Sequence, residues 1–123
     1  DKGKLDADEK SLAAYFKELE ENDHVKISSE RLTEFDPVLF DENIVQKIEA
    51  AASARGLNTR RMTSGAGQDA QMMARICQTA MIFVPSIKGI SHNPKEYTPD
   101  EDCVAGANVF LDVVSEMAGV QQK

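Results

Sequence analysis

Two cysteines and two histidines are all that this 123-residue chain offers of the residue types that build disulfide frameworks and imidazole-rich metal centres. Cys77 and Cys103 stand too far apart for a CxxC redox or zinc element, so reduced thiols in a cytoplasmic protein are expected. Basic residues are also scarce. The 14 Lys and Arg face 21 Asp and Glu, a formal net charge of -7, which opposes phosphate backbones and anionic lipid surfaces. Neither nucleic acid nor membrane is an expected partner. The longest nearly unbroken apolar run, residues 80–84, falls far short of the roughly 20 residues of a spanning helix, and no basic leader precedes an apolar segment. A soluble, unexported chain is the expectation.

What is present suffices for one core, since 41% of the residues are hydrophobic. Asp6 and Glu9 form a capping-box pattern ahead of Leu12, Tyr15, Phe16 and Leu19 at helical spacing, predicting a helix over 7–21. Val25, Ile27 and Ser29 alternate with Lys26 and Ser28, predicting a half-buried strand to about residue 35. Asp36-Pro37 then punctuates the chain, and a boundary is placed there.

A second helix is expected from Asp41 as N-cap, with Phe40 stapled to Val45, an apolar stripe of Ile44, Val45, Ile48, Ala51 and Ala52, and Gly56 as its stop. Residues 58–63 read as a short strand. Gly65-Ala66-Gly67 breaks it before a third helix carrying Met72, Met73 and Ile76, and residues 79–85 read as a strand covered on both faces. Thr98-Pro99-Asp100-Glu101 starts the last helix, with Val104, Ala107, Leu111, Val114 and Ala118 as its buried face. This order predicts an α/β fold: a partial layered, mostly parallel sheet with helices on its faces.

Two loops carry the candidate chemistry. Ser64 to Ala70 lies between a predicted strand and helix, where glycines let backbone approach a ligand and free N–H groups favour a carboxylate; a plain tight turn is the competing explanation. Lys88 to Tyr97 follows the most buried strand, and ligands of open α/β sheets bind beyond the carboxyl ends of strands, which singles out His92. His24, in a predicted turn, receives no role, and Cys103 is expected to be a buried, inert thiol.

The strings SGAGQDAQMM, MIFVPSIKGISHNPKEYT and EDCVAGANVFLDVVSEMA, in that order, resemble the C-terminal part of the dinuclear-metal amidohydrolases. That family includes N-carbamoyl-L-amino-acid hydrolase, β-ureidopropionase and allantoate amidohydrolase, relatives of the aminoacylase and carboxypeptidase metallopeptidases. The resemblance implies that His92 is a ligand of one of two divalent metals, zinc, manganese, cobalt or nickel. It implies that Gly65, Ala66, Gly67 and Gln68 face the substrate, and that Asp69, Glu96 and Tyr97 are supports. Relatives usually show histidine where this chain has Gln68, a side chain that hydrogen-bonds but does not titrate.

The same resemblance makes residues 1–36 the tail of an inserted α+β lid and dimerisation domain, and residues 37–123 the C-terminal part of the metal-binding catalytic domain. The remaining metal ligands and the general base would come from a preceding catalytic region not matched here. The chain alone would then be inactive and bind metal at most weakly. The expected substrate is a small molecule with a carboxylate and a ureido group, and the expected assembly a homo-oligomer. A non-catalytic binding or assembly module derived from this fold is the alternative.

Overall fold

The computed structural model describes residues 2–119. These fall into two compact units, one ending at Leu39 and the next beginning at Phe40.

In the first unit, α1 spans Lys2–Asp23 and begins earlier than the Asp6 capping pattern predicts. Glu9 closes no capping box; its carboxylate instead takes the Arg31 guanidinium, which also holds Glu34, while Lys2 pairs with Glu34 and Asp36. Glu20 accepts the Ile27 N–H at 2.9 Å, which fixes the reversal after the helix. These contacts return residues 24–36 along α1, but residues 25–35 form no strand. Their period-2 pattern has no second strand to satisfy its backbone, and an isolated strand is not stable in water. No residue of α1 is buried, and Leu12 and Tyr15 of the expected core stripe are exposed.

The second unit is built on α2 (Glu42–Ala54) and α4 (Asp100–Met117). Asp41 caps α2 as expected, its Oδ1 accepting the N–H groups of Asn43 at 3.0 Å and Ile44 at 3.1 Å. The helix ends where Gly56 adopts φ 70, with the Gly56 N–H on the Ser53 carbonyl and the Leu57 N–H on that of Ala52. That paired closure needs a left-handed residue, which is why glycine stands there. The third helix, α3 (Asp69–Met73), is a little over one turn, and Ile76 lies beyond it, exposed. α4 starts one residue later than expected, with Pro99 as N-cap, and Asp100, Glu101 and Asp102 complement its dipole.

Where α2 meets α4, Ala52, Val109 and Val113 are buried. Arg55 clasps Asp112 through two bonds of 2.5 and 2.8 Å, and Lys47 pairs with Glu116. This corrects the expected buried face of α4. Val104, Leu111 and Val114 are exposed, because the side that meets α2 is the one that carries Val109 and Val113.

No strand forms among the described residues, so the expected layered sheet is not observed, and neither 58–63 nor 79–85 is a strand. The second segment is nevertheless held. The Thr79 carbonyl accepts the Asp41 N–H at 2.9 Å, Gln78 donates to Asp41, and Val84 lies against Gly106. A strand needs neighbouring strands for its backbone groups, and those groups have none here. Cys103, like Cys77, is exposed rather than buried. No helix of the described residues is long and apolar enough to cross a membrane.

Candidate functional site

An open cleft of about 540 Å³ lies in the second unit. Met62, Thr63 and Ser64 enter it from the run after α2, followed by Gly65, Ala66 and Gln68 of the glycine turn; Phe83 stands on another side, and Ser91 with His92 closes it. The structure thus brings His92 together with the glycine turn, two segments distant in the sequence. Gly67 and Asp69 adjoin this lining without belonging to it, and Glu96 and Tyr97 are not part of it either.

The glycine turn leads into α3 through Gln68, in extended conformation, whose N–H reaches the Gln71 side-chain oxygen at 3.4 Å. Neither Gly65 nor Gly67 requires the left-handed region, and a Cβ at Gly65 would meet no heavy atom within 4 Å. The protein itself therefore gives no steric reason for glycine at Gly65. Its bare backbone faces the cleft.

The His92 loop is closed at its base, where the Ile87 N–H donates to the Tyr97 carbonyl at 2.9 Å and Ser86 Oγ donates to the Ile90 carbonyl. Within it Lys88, Gly89 and His92 have φ of 60, 66 and 53. A left-handed non-glycine residue is disfavoured by about 1–2 kcal/mol and persists only when its surroundings hold it. At His92 the holding group is Glu96, whose Oε2 accepts the His92 N–H at 2.8 Å. Asn93 adds a turn of its own, its Oδ1 accepting the Lys95 N–H and its carbonyl the Glu96 N–H, each at 2.9 Å. Tyr97 contributes through its backbone carbonyl, and its ring is exposed.

The residue before Met62 was not singled out by sequence patterning. Arg61 clamps both Glu42 and Glu49 of α2 with four hydrogen bonds of 2.7 to 2.9 Å, anchoring the run that enters the cleft. Its guanidinium holds both carboxyls below the usual glutamate range, and they in turn raise its own pKa. Glu42 and Glu49 are seven positions apart and so share a helix face, a signal legible once an arginine is sought opposite them. Phe83, Thr63 and Ser91 carried no comparable signal.

The cleft holds one imidazole, a carboxamide and three hydroxyls, with no carboxylate in its lining. Among the described residues no group of three or more His, Cys, Asp or Glu could hold a metal ion. These residues therefore do not fit a complete metal centre by themselves.

The sequence model of Peptidase family M20/M25/M40 matches residues 6–116. An N-carbamoyl-L-amino acid amidohydrolase of Geobacillus stearothermophilus is 37% identical over 109 residues, 89% of this chain and 27% of the relative. An uncharacterized hydrolase of Haemophilus influenzae is 43% identical over 94 residues, 76% of this chain and 23% of the relative. An allantoate amidohydrolase of Bacillus subtilis is 39% identical over 83 residues, covering 68% and 20% respectively. The chain spans about a quarter of the length of these relatives. With the family pattern running through both units and across both cleft loops, the chain belongs to peptidase family M20/M25/M40.

Proposed function

We propose that this chain supplies one wall of the active site of an amidohydrolase that cleaves a linear carbon–nitrogen bond, in an N-carbamoyl amino acid or allantoate. The observation that supports it is the shared cleft of His92 and the glycine turn. The activities for which the relatives from Geobacillus stearothermophilus and Bacillus subtilis are named suggest the substrate class. M20 enzymes are generally metal-dependent. His92 offers a single imidazole ligand to a divalent ion whose other ligands lie outside this chain. Gly65, Ala66 and Gly67 present backbone to the substrate, and Gln68 hydrogen-bonds it. Asp69, Glu96 and Tyr97 support the two loops, Glu96 through its bond to the His92 N–H.

In this reading residues 1–36 belong to a lid domain and residues 37–123 to the catalytic domain, a division supported by the separation of compact units near Leu39. Residues 79–85, rich in β-branched and aromatic side chains, take a strand position once neighbouring strands are supplied. A cytoplasmic setting, in which both exposed thiols stay reduced, belongs to the same proposal.

The test is His92→Ala in a polypeptide that also carries the remaining catalytic region of the family. The expected result is loss of bound metal and a fall of about 100-fold or more in hydrolysis of N-carbamoyl amino acid or allantoate. Retention of both metal content and turnover would overturn the proposal.

The assembly reading is favoured by a different observation, the exposure of Val104, Phe110, Leu111 and Val114 along α4. A contiguous apolar helix face of this kind marks association. Light scattering is expected to show a mass above 13.5 kDa that rises with concentration. A strict monomer at all concentrations would remove this second reading.

A further inference from the structure

We propose that Gly106 is a positioning residue for the cleft, acting through Val84 to aim the Phe83 ring at the space shared with His92. Glycine inside a helix is disfavoured relative to alanine, so an interior glycine points to a close approach. At Gly106 the approach is that of Val84: a Cβ would lie 2.4 Å from Val84 Cγ1 and 4.0 Å from Val84 Cβ. No other glycine of the second unit is so confined; at Gly65, Gly89 and Gly56 a Cβ meets nothing within 4 Å, and at Gly67 only a side-chain atom at 4.0 Å.

Val84 therefore occupies the room that the missing Cβ leaves on α4, while Phe83, its neighbour in the chain, lines the cleft. Valine is stiff about its first side-chain bond, so a methyl group added at Gly106 pushes on the backbone that carries Phe83. Phe83 is the aromatic group of a lining that is otherwise small and polar except for Met62, and its placement sets the apolar wall that a ligand meets. The importance of that wall for substrate rests on the function proposed above, whereas the mechanical link between Gly106 and Phe83 does not.

The link is tested without ligand or metal, by aromatic and methyl NMR of the 123-residue chain. Gly106→Ala is expected to move the Phe83 ring resonances. Val84→Ala alone is expected to leave them in place, and the double variant is expected to restore the wild-type pattern. A folded Gly106→Ala chain with an unmoved Phe83, as when Val84 simply rotates, would overturn the proposal, as would a double variant that fails to restore the pattern. Should Gly106→Ala not fold, Val84→Ile provides the same push from the other side with Gly106 intact, and an unmoved Phe83 there is equally fatal. Restored resonances together with a catalytically silent His92 would sink the function proposed above and leave this link standing.

Discussion

His92 and Gly65 present opposite cases of what a single position reveals. At His92 the backbone is in the left-handed region and Glu96 holds its N–H at 2.8 Å, so the backbone conformation there is fixed by a side chain four residues on. Glu96→Gln keeps an acceptor oxygen and is expected to keep the loop, whereas Glu96→Ala removes it. The latter should broaden the His92 amide signal and speed its hydrogen exchange, a pattern absent from the former. At Gly65 nothing in the protein objects to a side chain. Gly65→Ala is expected to leave the thermal midpoint unchanged or slightly raised, because it restricts only the unfolded chain. In a complete family enzyme the same methyl enters the cleft and is expected to raise KM about tenfold, equivalent to ~1.4 kcal/mol of binding. An unchanged KM would show that substrate does not approach this turn.

Among the elements, α2 was the most legible and α4 the most misleading. Asp41, the Ile44 to Ala52 stripe and Gly56 state the start, face and stop of α2 in local chemistry, and the structure uses all three. Asp41→Ala is expected to destabilise the second unit by about 1 kcal/mol in urea unfolding, through loss of the cap. Loss of its bond to Gln78 would also loosen the entry to residues 79–85. α4 carries two apolar faces, and its sequence does not say which one meets α2. Contact with α2 selects the face of Val109 and Val113, which are buried together with Ala52.

The clamp of Arg61 on α2 carries a pH dependence. Glu42 and Glu49 titrate below the usual glutamate range in the folded chain, so their stabilisation is fully present above that range and is lost as pH falls through the depressed values. The urea midpoint is expected to drop below about pH 4.3, and Arg61→Gln to flatten that drop. The groups are exposed, so the effect is small and shrinks in salt. A pH profile identical with and without Arg61 would show that the clamp contributes nothing.

For the whole molecule, the residues in hand limit the chemistry. The cleft contains one imidazole and no carboxylate to move a proton. The 123-residue chain is therefore expected to show no turnover of N-carbamoyl amino acids or allantoate, with or without added zinc or manganese, in an assay for released ammonia. Turnover by a contaminant-free sample would contradict that expectation and place the missing groups within this chain.

Local chemistry was enough to locate the helices, though not the start of α1 or the short extent of α3, because caps, stripes and stop residues act within a few positions of one another. It also carried both cleft loops, since glycine turns and the string around His92 are short patterns. The strands at 25–35, 58–63 and 79–85 were not determined in this way, because a strand exists only when another strand takes its backbone hydrogen bonds. Which face of α4 is buried, the reach of Arg61 to Glu42 and Glu49, and the sharing of one cleft by Phe83 and His92 were decided by tertiary contact alone. Each depends on groups far apart in the chain, and sequence spacing carries no distance between them.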